Sequence, residues 1–205
     1  TIIASSEDKN FNYIPKNYTI DSNLDYFHYT SNNTIFGTQV KELPKTNVPI
    51  VCDMSSDIFS KKLDVSKYDL IYAGAQKNMG PAGTTLYIVK KDVLGASSVN
   101  IPTMLDLKTH SDKGSMFNTP PVFAVYTSML TLRWLKKNGA INHIEAENNK
   151  KSKLIYSEVD RNSLFQGTAH LDDRSTMNAT FILKNEALKT EFDTSIAKLM
   201  FSGFF

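Results

Sequence analysis

A single cysteine, Cys52, stands in 205 residues, so an internal disulfide framework and any multi-cysteine zinc or iron–sulfur site are excluded. That scarcity makes a reducing compartment the default. Excess charge is missing too: 23 Lys and Arg stand against 21 Asp and Glu, a net of +2. Such a balance argues against nucleic acid or an anionic membrane as the main partner. With no long apolar run and a mean hydropathy of −0.28, the chain is too polar for a membrane protein. Residues Thr1 to Asn12 hold no basic stretch followed by an apolar run, so no signal or transit peptide is read there, and the expected location is the cytoplasm. Without a secretory signal, the three Asn-x-Ser/Thr matches at Asn17, Asn32 and Asn178 are read as chance. Internal repeats and low-complexity tracts are also lacking.

What is present is a 41% hydrophobic composition, enough for a core at this length. A prior of roughly 150 residues per domain leaves one large domain, or one plus part of another. The chain begins without methionine and stops abruptly at Phe201-Ser-Gly-Phe-Phe205, which reads as an internal piece of a longer protein.

Along the chain, Leu24 to Tyr29 fits a strand, followed by a polar loop from Thr30 to Thr34. The branched run Val48-Pro-Ile-Val-Cys52 predicts a buried strand that ends at Asp53-Met-Ser-Ser56. Asp69 to Ala73 and Thr84 to Val89 predict two more strands, joined by Gly74-Ala-Gln-Lys-Asn-Met-Gly-Pro-Ala-Gly83, where three glycines and a proline exclude regular structure. From Pro121 onward, Phe123, Tyr126, Leu130 and Trp134 recur at helical spacing and mark one face of an amphipathic helix, closed by Asn138-Gly139. A more polar helix is expected over Ile141 to Val159. A strand at Thr180 to Leu183 follows, then a helix with apolar positions Leu188, Phe192, Ile196 and Leu199.

Lys77 lies in the glycine-rich connection. Most loop lysines are solvated, and composition alone gives a catalytic role about one chance in ten. Its setting raises that, because partial desolvation beside a rigid backbone lowers a lysine's pKa, as an imine-forming amine requires. Asp53, at the end of a strand, is a matching acid, and a lysine with a carboxylate is the pair that pyridoxal phosphate chemistry demands. A P-loop is rejected because Lys77 precedes Gly80 and Gly83, and the glycine spacing does not fit a dinucleotide fingerprint. His28, His110, His143 and His170 fit no metal-ligand spacing. Cys52 reads as a small buried side chain rather than a nucleophile.

Tyr72-Ala-Gly-Ala-Gln-Lys-Asn-Met-Gly-Pro-Ala-Gly83 resembles the lysine motif of the phosphoserine aminotransferases, fold-type I pyridoxal phosphate enzymes of class V aminotransferase type. Asp53-Met-Ser-Ser56, Tyr29-Thr-Ser-Asn-Asn-Thr-Ile35 and Gly114-Ser-Met-Phe-Asn-Thr-Pro-Pro121 resemble that family's other cofactor motifs, in the same order. The likeness runs from about Tyr26 to Phe192. Cysteine desulfurases share the fold but place histidine, not glutamine, before the lysine, and need a mobile cysteine.

The resemblance implies an α/β fold: the second half of a fold-type I large domain, with a mostly parallel, helix-covered sheet, followed by part of a small α+β domain. The implied division is 1–140 for the former and 141–205 for the latter. By resemblance, Lys77 forms the Schiff base with pyridoxal 5'-phosphate and shuttles the substrate's proton, while Asp53 keeps the pyridine nitrogen protonated. Thr34 lies beside the ring hydroxyl and Gln76 donates to the phosphate. Asn118 and Thr119 reach that phosphate from the neighbouring subunit of a homodimer, and Ser55 is a further candidate. The implied substrates are glutamate and 3-phosphohydroxypyruvate, exchanged for 2-oxoglutarate and 3-phosphoserine in serine biosynthesis. No metal is implied.

The family's glycine-rich phosphate loop, its ring-stacking aromatic residue and its N-terminal substrate arginine lie upstream of Thr1 in relatives. The family's substrate arginines align with none of Arg133, Arg161 and Arg174. The 205-residue chain, produced alone, is therefore expected to be inactive. The other readings are a silent fragment or pseudoenzyme acting by association, and a desulfurase or lyase on the same fold.

Overall fold

The computed structural model describes residues 1–202; of the side chains, those from 198 onward lie outside the description, Leu199 of the expected apolar stripe among them. In chain order the elements are strand β1 (Phe27–Thr30), the two strands of a short hairpin β2 (Asn32–Asn33) and β3 (Thr38–Gln39), then β4 (Ile50–Asp53), β5 (Leu70–Gly74) and β6 (Thr85–Val89). Helices α1 (Leu107–Asp112), α2 (Val122–Lys137) and α3 (Ala140–Arg161) follow, then β7 (Phe165–Gly167), β8 (Phe181–Leu183) and α4 (Lys189–Ser202). Among the described residues no helix is long and apolar enough to cross a membrane.

The central sheet has the order β1-β4-β5-β6, with the first three strands parallel and β6 antiparallel to β5. Its register brings Thr30, Asp53 and Tyr72 side by side at one end. Because side chains alternate along a strand, Ile50 and Cys52 share one face with Ile71 and Ala73, while Val51 and Asp53 share the other with Leu70 and Tyr72. The first face is sealed by Met54, Ile58, Tyr68, Ala75 and Met79 into the apolar core. Burying such a face is what fixes register, since a slip of one residue would turn every apolar side chain to the wrong side. At the opposite end Asp69 ties three strands together: its carboxylate accepts from Ile50 N at 2.7 Å and from Lys90 Nζ at 2.9 Å. Burial opposes ionisation there, but the Lys90 and Ile50 hydrogen bonds hold the Asp69 carboxyl below its ordinary value.

Helix α2 turns a different side to the protein than its apolar stripe suggests. Its buried residues are Ala124 and Ser128, whereas Phe123 is 76% and Trp134 58% exposed, with Tyr126 and Leu130 also outward. The reason is steric. A Cβ at Gly83 would lie 2.8 Å from the Ala124 Cβ, and one at Gly80 would lie 3.3 to 3.4 Å from Thr131 and Ser128. The lysine-bearing loop therefore packs directly on a row of small residues at positions i, i+4 and i+7, a row that larger side chains would hold away. Both glycines also take positive φ, at +121° and +127°, where a side chain would be strained.

The strand expected at Thr180 to Leu183 is β8. Its partner β7 was not expected from the sequence, and the two form a separate two-stranded antiparallel sheet. Phe165 stacks edge-on against Phe181 and Phe192, which seats α4 on that sheet. Tyr156 of α3 donates to the Ser175 carbonyl at 2.9 Å.

Candidate active site

In open sheets of this kind, ligands bind beyond the carboxyl ends of the parallel strands. Three of the candidate residues gather there. Asp53 is the last residue of β4; Lys77 sits three residues beyond the end of β5, in the loop that returns to β6; Thr34 lies in the turn between β2 and β3. The Lys77 Nζ donates to Thr34 Oγ1 at 2.6 Å, across 43 residues of sequence. Asn33 shapes that turn, its side-chain carbonyl accepting from the backbone of Ile35 and Phe36 and its backbone carbonyl from Gly37.

Asp53 is held by its own turn. Its Oδ1 accepts from Ser55 N at 2.8 Å, and the Ser55 hydroxyl accepts from Gly74 N at 3.0 Å. Ser55 thus links the acid to the residue where the lysine loop begins. Gln76 is exposed next to Lys77. Asn118 and Thr119 stand apart: both are exposed in the segment before α2, and the Asn118 amide donates to the neighbouring Thr119 carbonyl at 3.2 Å. Among the described residues they make no hydrogen bond to Lys77, Thr34, Asp53 or Gln76.

Two residues that were not singled out as site candidates from the sequence share the Asp53 face of the sheet. Tyr72 is its in-register neighbour on β5, and His28 Nε2 lies 3.1 Å from the Tyr72 hydroxyl. Period-two alternation along β1 and β5 was the available signal, because it places His28 and Tyr72 on the Asp53 face. A buried polar network behind Thr34 was equally invisible. Asn32, 2% exposed, donates to Ser56 Oγ at 2.9 Å and Asn178 Oδ1 at 2.7 Å, and accepts from the Ser175 hydroxyl at 2.5 Å. Asn32 is thereby removed as an acceptor for glycosylation in the folded protein. Gln39 donates to Asp57 at 3.1 Å and accepts from Thr176 N at 3.2 Å, and the Ser31 hydroxyl bonds the same Asp57 carboxylate. These bonds fasten the Thr34 hairpin to residues 175–178.

Cys52 is fully buried, and burial pushes its thiol up to about 12, so it is no nucleophile. Arg174 is committed elsewhere: it forms a two-pronged pair with Asp160, both bonds 2.7 Å, and its guanidinium lies 4.5 Å above the Tyr156 ring. Two concavities, about 390 Å³ beside Asp57 and Tyr68 and about 450 Å³ between β6 and α2, contain none of Lys77, Asp53 and Thr34. The candidate site is instead an open shelf at the strand ends.

The donor set on that shelf fits pyridoxal 5'-phosphate: a primary amine for an aldehyde, a carboxylate with one oxygen still open for a ring nitrogen, a hydroxyl beside the amine and an amide next to it. The class-V aminotransferase family model matches residues 1–195. The chain belongs to the class-V aminotransferase family. As a class-V chain it is 61% identical over 202 residues to the phosphoserine aminotransferase of Flavobacterium psychrophilum, an alignment covering 98% of this chain and 57% of that protein. Among solved structures, the phosphoserine aminotransferase from Bacillus circulans subsp. alkalophilus superposes with a TM-score of 0.91 at 40% identity, over 97% of this chain and 56% of that one. The pyridoxal-phosphate-bound phosphoserine aminotransferase from Trichomonas vaginalis gives 0.81 at 30% identity, over 88% and 54%. The chain spans about half the length of the curated relatives it matches.

Proposed function

We propose that the protein containing this chain is a pyridoxal-phosphate-dependent phosphoserine aminotransferase. It would pass the amino group of glutamate to 3-phosphohydroxypyruvate, giving 2-oxoglutarate and 3-phosphoserine for serine biosynthesis, in the cytoplasm. The observation that carries the reading is the contact of Lys77 Nζ with Thr34 Oγ1 beside Asp53 at the strand ends, within a sequence 61% identical to a protein of that name.

When bound, pyridoxal 5'-phosphate supplies an electron sink that lets the α-proton of an amino acid leave. Lys77 would hold the cofactor through its amine and, once free, would serve as the general base and acid that moves the substrate's α-proton. Asp53, oriented by the Ser55 N bond to its Oδ1, would keep a proton at the ring nitrogen. Thr34 accepts from the Lys77 amine and would lie beside the ring hydroxyl, while Gln76 would donate to the phosphate. Residues 1–140 form part of the large domain and residues 141–205 the start of a small one.

The protein acts as a homodimer in which Asn118 and Thr119 of one protomer complete the phosphate site of the other. Their exposure, and the outward row Phe123, Tyr126, Leu130 and Trp134 on the helix that follows them, support this reading. In heterodimers, a Lys77→Ala protomer and a protomer carrying Asn118→Ala with Thr119→Ala would recover activity; no recovery would place the site within one chain. For the reaction itself, the complete protein with cofactor, glutamate and 3-phosphohydroxypyruvate should form 2-oxoglutarate and 3-phosphoserine in equal amounts. Sulfide release from cysteine in place of amino transfer would assign it to the desulfurases.

A further inference from the structure

We infer that Asn178 and Thr180 are positioning residues for Thr34: they clamp its hairpin on both sides and so hold the hydroxyl that meets the Lys77 amine. The inference rests on the proposed function, in which the Lys77 amine holds pyridoxal 5'-phosphate.

Thr34 lies in the turn of the β2–β3 hairpin, and the two grips fall two residues before it and two residues after it. Before it, the Asn32 amide donates to Asn178 Oδ1 at 2.7 Å. After it, Thr180 Oγ1 donates to the Phe36 carbonyl at 3.0 Å. Thr168 Oγ1 lies 2.6 Å from the same Thr180 oxygen and donates to it, which leaves the Thr180 proton for Phe36. A further bond closes the hairpin against the segment, from Ser175 N to the Gly37 carbonyl at 2.8 Å. Gly37 is what permits the approach: it takes φ +70°, and a Cβ there would collide with the Thr180 side chain and lie 3.0 Å from the Asn178 carbonyl oxygen.

The clamp is itself anchored. The Ser175 hydroxyl accepts from Met177 N and Asn178 N at 2.9 and 3.0 Å while donating to Asn32 Oδ1. The Tyr156 hydroxyl of α3 lies 2.9 and 3.3 Å from the Ser175 and Asn178 carbonyl oxygens. On its other side Asn32 is tied to the loop that follows Asp53, where Ser56 Oγ accepts from the Asn32 amide and donates to the Asn32 carbonyl, both at 2.9 Å. Asn32 therefore bridges the loop after the acid and the segment carrying Asn178. Among the described residues the exposed Lys77 amine makes one hydrogen bond, to Thr34 Oγ1 at 2.6 Å. A lysine side chain in solvent has many rotamers, so the place of that single acceptor decides where the amine waits. Loosening either grip lets the turn carry the Thr34 hydroxyl away, and the amine loses the orientation that an attack on an aldehyde requires.

The test uses the complete protein freed of cofactor and has two readouts: hydrogen exchange of the hairpin amides, and the rate at which added pyridoxal 5'-phosphate is captured, followed by visible absorption. Wild type is compared with Asn178→Ala, with Thr180→Val, which keeps the side-chain shape and loses the hydroxyl, and with Asn178→Asp, whose carboxylate still accepts from Asn32. Asn178→Ala and Thr180→Val should each slow capture about three- to tenfold and speed exchange at the amides of residues 35–37, and Asn178→Asp should restore both. In a Thr34→Val background, where the amine has no acceptor to follow, Asn178→Ala should slow capture no further. A capture rate or a hairpin exchange unmoved in both variants would overturn the inference. So would an equal slowing in the Thr34→Val background, which would confine the clamp to the fold. If borohydride reduction and peptide mapping show that the wild-type protein captures no cofactor on Lys77, the reading of Lys77 itself falls and the role of the clamp with it.

Discussion

On one face of the central sheet Ile50, Cys52, Ile71 and Ala73 are sealed among Met54, Ile58 and Tyr68, whereas on the other Val51, Asp53, Leu70 and Tyr72 are only half-buried. The two faces come from the same three strands, alternate residue by residue, and differ in what they are for. The sealed face supplies apolar burial, worth about 1.5 to 3 kcal/mol for a fully buried large aliphatic side chain. The open face carries an acid, a phenol and an imidazole, the last two within hydrogen-bond reach of each other, at little gain in stability. Because register is locked by the first face, the second is positioned with no sealed core of its own, its packing being the ring contacts of Tyr72 with His28 and Tyr87. A site residue can therefore sit half in solvent and still be held in place.

Four substitutions in the complete protein would break or sharpen this comparison. The largest effect is expected for Lys77→Arg, which keeps the charge but cannot form the imine: kcat should fall by roughly 10³-fold or more, with the denaturant midpoint unchanged in a urea titration. Ile71→Ala should show the reverse pattern. Ile71 is 1% exposed, and truncating it should cost about 2 to 5 kcal/mol of stability, read from the same titration.

These two positions also show how much was legible. Ile71 and Cys52 announced themselves as apolar runs, and Lys77 as a lysine among glycines, because short-range pattern encodes strands and turns directly. That Thr34 belongs to the same site as Lys77 was expected from motif resemblance alone, and their direct contact was not expected, since no local pattern joins residues 43 apart. The hairpin at Thr34 was read only as a polar loop. Its stability comes from Asn32, Gln39 and Ser31 bonding to Asp57 and to residues 175–178, and such long-range polar pairing leaves no periodic trace. Helix α2 was found, but its apolar stripe does not mark the buried side. There the small residues Ala124 and Ser128 face the lysine loop, and close approach selects for size rather than hydrophobicity.

A smaller effect is expected where the two faces meet. Ser55→Ala removes the acceptor for Gly74 N and leaves a part-buried donor unpaired. Stability should fall by about 1 to 2 kcal/mol, and cofactor affinity should weaken because the turn that orients Asp53 loosens. Loss of stability with affinity intact would confine Ser55 to the fold. The smallest effect belongs to the far end of the strands. The Asp69 carboxyl is depressed in the folded protein, so its contribution is present above the unfolded value near 3.9 and is lost as pH falls through the lower folded value. Asp69→Asn should cost about 1 kcal/mol at neutral pH, given the partial exposure of Lys90. The variant and the parent should converge in stability once the pH has fallen through that lower folded value, as urea midpoints across the acid range would show.

The central claim, that the open face and its loop bring Lys77 to a cofactor held by Asp53, is tested most directly by borohydride reduction. The complete, cofactor-loaded protein is reduced, digested and mapped by mass spectrometry. The account predicts a single pyridoxyl adduct, on Lys77. An adduct on any other lysine, or none in a protein that still transfers amino groups from glutamate, would contradict it.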